Sequence, residues 1–177
     1  MGSYQDEISY ITIQTLGNAS DFGDLITARE QPAACSDLVR GVFYGGSTSG
    51  DIDYITIATT GNATDFGTNA PEGGKKGHAG VSNNVRGCFT GHSDETDIDY
   101  ITIQTTGTVS NFGDQAVQHD YNGGVQGGGR GIFGGGNDSS NNRTNIIDYI
   151  TIDTTGNSVD FGDMTQARDS MAGVSGG

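Results

Sequence analysis

The chain has 177 residues, with 8 Lys or Arg against 22 Asp or Glu, so its formal net charge is −14. Because such an acidic chain repels a phosphate backbone, we predict no nucleic-acid partner. Hydrophobic residues make up only 32% and 31 residues are Gly, so one large core is excluded, and the apolar residues are expected to be buried by stacking of like repeat units.

The beginning of the chain, residues 1–7, has neither a positively charged segment nor an apolar one. We therefore predict no signal peptide and no membrane insertion, and we expect synthesis in the cytoplasm. The length and the uniform composition predict a single repeat domain spanning residues 1–177. Its units are approximately residues 1–31, 32–76, 77–122 and 123–177.

A sequence repeat occurs four times, and its first copy runs from Tyr10 to Gly23. In every copy the Phe lies twelve residues after the Tyr. The run Tyr-Ile-Thr-Ile is β-branched or aromatic, which predicts a strand whose isoleucine face is buried. A Gly-Asn pair such as Gly61-Asn62 follows and predicts a two-residue hairpin turn. The chain then returns through an Asp-Phe-Gly segment to complete a hairpin.

A second signature, Arg-Gly-x-Phe, occurs three times, at residues 40–43, 86–89 and 130–133, each time after a run of small residues. Small residues suit an inner strand where backbones converge. Each unit is therefore predicted to contain four strands: one of small residues, one carrying Arg-Gly-x-Phe, and the two strands of the Tyr/Phe hairpin. The predicted core of the repeats is formed by Phe22, Phe66, Phe112 and Phe161 of the hairpins with Phe43, Phe89 and Phe133 of the second signature.

The strand count predicts an incomplete architecture. Four hairpins give eight strands, three Arg-Gly-x-Phe segments give three, and small-residue runs, including residues 171–177, give four. Sixteen strands would be needed for four complete units, so one unit is a strand short. An open slot in a sheet invites another chain, and we expect self-association or a partner protein there, with a slightly open unit as the alternative.

The third connection from Arg-Gly-x-Phe to the next Tyr is five residues longer than the first two. The extra residues form a polar tract that cannot pack a core, and variable loops on a fixed scaffold often bind partners. A tolerated surface insertion is the alternative. The residues predicted to form this contact surface are Asn137, Asp138, Ser139, Ser140, Asn141, Asn142 and Arg143.

Alternating aspartates precede the Tyr strand in two units, namely Asp51, Asp53, Asp97 and Asp99. Carboxylates in this pattern could bind Ca²⁺ with help from carbonyl groups, whereas turn aspartates that accept local amide hydrogen bonds are the alternative. No other cofactor is predicted. We expect the repeated arginines to pair with these aspartates and the three histidines to lie at the surface. Both cysteines are expected to be buried thiols rather than a disulfide.

Taken together, the Gly-Gly pair of residues 45–46, Tyr54, Phe66 and the Ala-Arg pair of residues 28–29 resemble the kelch repeat, whose units are four-stranded blades of a β-propeller. The sequence of the Tyr/Phe hairpin, followed by Arg-Gly-x-Phe, is similar to sequences in repeat proteins of marine and cyanobacterial phages. Those proteins are commonly described as tail-fibre-like or structural. The resemblance implies an all-β, kelch-like β-propeller of about four four-stranded blades, one strand short of closure. A β-solenoid or a trimeric fibre is the alternative fold.

The resemblance implies a non-enzymatic virion protein, such as a fibre, a head decoration or a tail-associated module, that contacts other virion proteins, itself or the host surface. Virion localisation also agrees with the lack of a signal peptide, because virion proteins leave the cell by lysis. A lectin-like propeller that binds a carbohydrate or receptor is the alternative, and a propeller enzyme is the third hypothesis. No Ser/His/Asp or Cys/His arrangement stands out in the sequence.

Overall fold

The structure, a computed structural model, describes residues 4–47, 50–68, 77–90 and 95–175. The connection that contains residues 69–76, with the predicted unit boundary at residue 76, lies outside the described residues, and so does His92. No helix in the described part of the chain is long and apolar enough to cross a membrane.

The described residues form fourteen strands. The first seven are β1 (Gln5–Tyr10), β2 (Ser20–Arg29), β3 (Ala33–Ser36), β4 (Arg40–Tyr44), β5 (Asp51–Thr56), β6 (Thr64–Thr68) and β7 (Ala79–Ser82). The others are β8 (Arg86–Thr90), β9 (Asp97–Thr102), β10 (Ser110–Asp114), β11 (Gly123–Gly127), β12 (Arg130–Gly134), β13 (Ile146–Thr151) and β14 (Val159–Asp163).

All sheets are antiparallel and each contains only neighbours in sequence. Three sheets have four strands, in the orders β3-β4-β5-β6, β7-β8-β9-β10 and β11-β12-β13-β14, and a fourth contains only β1 and β2. We call them S1, S2, S3 and, for the two-stranded sheet, S0. Each lies within one predicted unit. The arrangement is all-β and β-propeller-like, with the sheets following one another in chain order.

Within the described residues, the predicted fifteenth strand is absent. Residues 171–175 have no regular secondary structure, although they lie beside β11. A Cβ added at Gly173 would lie 2.0 Å from the carbonyl oxygen of Gly124. The segment packs against the inner strand of S3, where the Ser175 hydroxyl accepts a hydrogen bond from the amide of Gln126 at 2.7 Å.

Small residues occupy the inner strands because the sheets approach most closely there. A Cβ at Gly80 of β7 would lie 2.3 Å from the carbonyl oxygen of Ala34 of β3, and one at Gly124 would lie 3.1 Å from the carbonyl oxygen of Gly80. These distances leave no space for larger side chains. The prediction of a crowded inner strand therefore holds for β3, β7 and β11.

The Phe-Gly step in every hairpin is a β-bulge. In S1, Ile52 pairs with Gly67 and Asp53 pairs with Asp65, so Phe66 is the extra residue between two paired positions. The same shift occurs in the other three hairpins, at Phe22, Phe112 and Phe161. The bulge aims each ring at the Tyr of its own hairpin, with ring centroids 5.9–6.1 Å apart in edge-to-face geometry.

Apolar residues are buried between consecutive sheets rather than inside one. One cluster lies between S1 and S2 and includes Val42, Phe66 and Ile103, while the second lies between S2 and S3 and includes Phe112 and Ile152. Tyr44 of S1 stacks on Phe89 of S2 with ring centroids 4.3 Å apart. The expected burial by stacking of like units is therefore observed at these two junctions.

Candidate functional site

The Gly-Asn segment does not form the predicted two-residue hairpin turn. In S1 the strands end at Thr56 and resume at Thr64, and Gly61 between them donates a backbone hydrogen bond to the carbonyl oxygen of Phe22 in the preceding sheet, at 2.7 Å. Gly107 binds Phe66 and Gly156 binds Phe112 in the same way, each at 2.8 Å. We call this contact the inter-sheet clasp.

Further polar groups extend two of the clasps. The side-chain oxygen of Asn62 accepts from the amide of Asp24 at 3.2 Å, and Asn157 accepts from Asp114 at 3.1 Å. The residue after each Asn also donates through its amide to the carbonyl oxygen of the same aspartate, at 2.8 Å. The clasp therefore joins adjacent sheets in the manner of a short β-ladder.

The glycine of each Phe-Gly step in S0, S1 and S2 lies directly under a clasp. A Cβ at Gly23, Gly67 or Gly113 would lie 2.4, 2.0 or 2.4 Å from the backbone of the clasping glycine. These glycines also have φ between +146° and +153°, which side-chain-bearing residues rarely adopt. Glycine is thus required for two reasons: its own positive φ, and the clasping backbone that occupies the place of a Cβ.

The arginines of the Arg-Gly-x-Phe signature do not form the predicted aspartate pairs. The guanidinium groups of Arg40, Arg86 and Arg130 lie over the rings of the neighbouring Tyr54, Tyr100 and Tyr149, 4.2–4.3 Å from the ring centroids. The register places each Arg beside the Tyr strand, where cation–π stacking is available. Arg40 and Arg86 also donate to the carbonyl oxygens of Ile103 and Ile152 in the next sheet, at 3.1 and 2.9 Å.

Arg29 does pair with an aspartate. It forms a fully buried ion pair with Asp53, and its guanidinium also donates to the carbonyl oxygens of Gly45 and Asp51. His119 occupies the corresponding place in S3, where its Nδ1 lies 2.7 Å from the carbonyl oxygen of Gly135 and its Nε2 lies 3.6 Å from Asp148. The expected surface position is therefore wrong for His119, which is buried beneath the connection between S2 and S3.

The structure gives structural partners to three of the four aspartates considered for Ca²⁺. Asp53 is engaged by Arg29, and burial raises its pKa even though the Arg29 charge opposes that effect. Asp99 accepts a hydrogen bond from the Tyr44 hydroxyl at 2.6 Å. Asp51 accepts a hydrogen bond from the Thr27 hydroxyl at 3.3 Å, and Asp97 lies two residues before Asp99 on β9. Among the described residues, no group of three or more His, Cys, Asp or Glu is placed to hold a metal.

The predicted contact loop, residues 137–143, is held by polar contacts within itself and with Asp120 and Asp169 outside it. The Asp138 carboxylate accepts from the amides of Asn142 and Ser140, at 2.8 and 2.9 Å, and these bonds lower its pKa. Arg143 forms an exposed ion pair with Asp169 at 3.2 Å. Asn137 is buried, and its side chain donates to the side-chain oxygen of Asn141. The remaining residues of the loop face solvent, so its role as a contact surface stays a prediction.

The predicted core phenylalanines differ in burial according to their position along the chain. Five are buried: Phe22, Phe66, Phe112, Phe89 and Phe133. Phe43 is half-buried, because S0 lacks the strand that would cover it. The prediction is wrong for Phe161, which is 52% exposed although its bulge and Tyr partner match those of the other hairpins, because no clasp from the described residues covers it.

The isoleucines of the clasp turns become more exposed toward the beginning of the chain, whereas the exposed Phe161 lies near its end. Ile103 and Ile152 are fully buried against the preceding four-stranded sheet, whereas Ile57, which follows the two-stranded sheet, is 42% exposed and Ile13 of the first hairpin is 87% exposed. Leu16 beside Ile13 is completely exposed. The described part of the chain thus has two unsatisfied surfaces: the turn of S0 and the outer strand of S3.

A shallow cleft runs along the inner strands. One part, of about 380 Å³, is lined by small and polar residues that include Cys35, Ser82 and Gln126, and an adjoining part of about 560 Å³ includes Asn83 and Arg130. Both cysteines are free; Cys88 is buried and Cys35 is half-buried at the cleft. Burial raises the pKa of the Cys88 thiol to about 12, so it is unreactive at neutral pH.

Neither a scan of protein families nor a search of curated proteins finds a match for the chain. The fold is matched by 142 solved chains. One, described as "Structure of YjhT", has a TM-score of 0.71 and 10% sequence identity, over 95% of this chain and 67% of that one. The likeness shows the fold alone. The chain thus spans about two thirds of the length of that structure.

Proposed function

We propose that the chain is a non-enzymatic structural and adhesion module of a phage virion that acts through protein–protein contacts. The observation that carries the proposal is the pair of unsatisfied surfaces: Ile13 is exposed whereas the equivalent Ile103 and Ile152 are buried, and Phe161 is exposed whereas the Phe of every other hairpin is buried. Large apolar groups exposed at complementary ends favour assembly over catalysis. The resemblance of the repeat sequence to phage repeat proteins supports a virion protein, and the kelch-like resemblance supports a repeat scaffold for it.

The finer architecture that we propose is a set of β-propeller blades in which S1, S2 and S3 are complete. S0 supplies the outer two strands of a further blade, and residues 171–175 occupy the inner position of one. Among the described residues such a blade has no Arg-Gly-x-Phe strand, and we propose that another surface lies beside it. This arrangement explains why the Ile of the first hairpin and the Phe of the last one are exposed.

The proposed function is tested by looking for the chain in purified virus particles. Purified virions from the source of the sequence are digested and analysed by quantitative mass spectrometry, and gold-labelled antibodies against the recombinant chain locate it by electron microscopy. We expect the chain in intact particles at a defined place and in constant copy number. Its absence from particles that contain the other structural proteins would overturn the proposal.

A second candidate function is carbohydrate or receptor binding in the inner-strand cleft. It is favoured by the amide and hydroxyl groups of Gln126 and Ser82, which line an open surface of suitable size. Binding of the chain to a glycan array, abolished by Gln126→Ala and retained by a substitution in the 137–143 loop, would support this candidate. Loss of binding by the loop substitution alone would place the contact surface in the loop instead.

A further inference from the structure

We infer that the turn of S0 docks on β14 of a second copy of this chain, forming between molecules the same clasp that joins consecutive sheets within one. The inference deepens the proposed function and rests on it, because it names the partner of the two unsatisfied surfaces. The donor surface is defined as residues 11–19, and the acceptor surface as Arg130 with residues 159–163.

The donor surface repeats the chemistry of the three observed clasps. Gly17 and Asn18 align with Gly61-Asn62 and with Gly156-Asn157. Within the described residues, the structure shows no hydrogen bond from the Gly17 amide comparable with those of Gly61, Gly107 and Gly156. All residues from 11 to 19 are exposed. The donor half of a clasp is therefore present and unoccupied.

The acceptor surface repeats the other half. Phe161 and Gly162 align with the Phe-Gly pairs that accept clasps in S0, S1 and S2, and Gly162 has the same positive φ, +137°. A Cβ at Gly162 would meet nothing within 4 Å, whereas one at each equivalent glycine would run into clasping backbone. The open space above Gly162 therefore corresponds to the volume that a clasp occupies elsewhere.

A charged group adds a further complementary contact. Arg40 and Arg86 each reach across to a carbonyl oxygen of the next sheet, Ile103 and Ile152 respectively. Arg130 stacks on its own Tyr in the same way, but it is exposed, and no next sheet offers it a carbonyl within the described part of the chain. The equivalent carbonyl in this series belongs to Ile13 of the donor surface.

The two surfaces do not cover each other within one molecule, since Ile13 is 87% exposed and Phe161 is 52% exposed. A second copy offers the same donor turn to a complete four-stranded sheet, which is the setting in which Ile103 and Ile152 are fully buried. The contact is heterologous, because one molecule contributes its turn and the other its last strand. Repetition of such a contact produces closed rings or filaments.

The test uses sedimentation velocity of the full 177-residue chain over a concentration series at about physiological ionic strength, where exposed charges are screened beyond about 8 Å. We expect the parent chain to form species heavier than its 18.3 kDa monomer. Ile13→Asp inactivates the donor surface and Phe161→Asp the acceptor surface, and each variant alone is expected to lose association and stay monomeric. Val85→Asp, which changes a 63% exposed Val outside both surfaces, is the matched control and is expected to associate like the parent.

Mixing the two variants distinguishes pairing of donor with acceptor from non-specific aggregation through exposed apolar residues. Ile13→Asp keeps an intact acceptor surface and Phe161→Asp keeps an intact donor surface, so their equimolar mixture is expected to form a complex of twice 18.3 kDa that grows no further. Restored association also proves that both variants are folded. Arg130→Gln is expected to weaken association of the otherwise unchanged chain.

Either of two results with single proteins would overturn the inference: a parent chain that is monomeric throughout the series, or variants that associate as the parent does. A mixture of the two variants that stays monomeric while each melts like the parent in thermal denaturation would also overturn it. None of these results bears on whether the chain is found in particles, so the proposed function and this inference fail separately.

Discussion

Two phenylalanines with the same sequence context differ in whether a clasp covers them, and this difference predicts unequal stability losses on truncation. Phe66 and Phe161 each follow an Asp, precede a Gly at a β-bulge and contact a Tyr edge-to-face, with ring centroids 6.1 and 6.0 Å apart. Phe66 is 2% exposed and Phe161 is 52% exposed. The pair Phe66→Ala and Phe161→Ala therefore isolates the effect of being covered by the next sheet.

The magnitudes follow from burial. Phe66→Ala removes a ring that is almost entirely out of water and leaves a cavity between S1 and S2, which costs about 3–5 kcal/mol. Phe161→Ala loses about half of the transfer free energy of a Phe ring and leaves no enclosed cavity, which costs roughly 1 kcal/mol. The first loss is a large fraction of the ~5–15 kcal/mol typical of a folded domain.

The assay is guanidinium denaturation followed by far-UV circular dichroism and by tyrosine fluorescence, since the chain has no Trp. It is run at the lowest usable concentration, so that association does not cover Phe161. The parent chain and both variants are compared by midpoint and by slope. Equal losses for the two variants would show that the clasp does not bury the ring, and the role assigned to the clasp at the sheet junctions would then be wrong.

Three further predictions follow from the described contacts. Gly67→Ala adds a Cβ that meets clasping backbone and Gly162→Ala does not, so the first should lower the free energy of unfolding by about 1–3 kcal/mol more than the second, as measured by denaturation. Arg29→Gln leaves Asp53 buried without its cation and should cost about 3–5 kcal/mol, and adding Asp53→Asn should recover part of that loss in a double-mutant cycle. Because the pKa of Asp138 is lowered in the folded chain, its loop hydrogen bonds should persist at any pH above the ordinary Asp pKa of about 3.9. They should be lost as the pH falls through the lower pKa of the folded state. Amide hydrogen exchange would detect this loss, and unchanged loop protection in acid would contradict the prediction.

The repeat pattern predicts the strands well because composition and alternation are local properties. The β-branched Tyr strand, the small-residue strand and the Arg-Gly-x-Phe strand all appear in S1, S2 and S3. The sequence does not reveal how one unit contacts the next. Its pattern assigns Gly61 to a turn within its own hairpin, whereas the Gly61 amide binds Phe22, which lies in a different sheet and far away in sequence.

The other differences have the same origin. Charge alone predicts an aspartate partner for Arg40, but register decides its partner and places it over Tyr54. Phe161 carries the full motif, yet it is exposed because no clasp from the described residues covers it. His119 gives one usable signal, because it follows its unit's Phe by seven residues, as Arg29 does, and both are buried next to an Asp of the Tyr strand.

The clasp is made mostly by main-chain atoms, and that has a consequence for how such chains evolve. While one glycine amide and one phenylalanine carbonyl keep the same geometry at each junction, the turn position held by Gln14, Ala58, Gln104 or Asp153 varies among the copies. Duplicating a unit would preserve this main-chain bond, whereas the turn side chain at the new junction would have to suit the preceding sheet, as Gln104 suits Asp37 and Asp153 suits Asn83. Lineages could therefore gain or lose units by recombination, with side-chain changes needed only where a turn residue meets the preceding sheet.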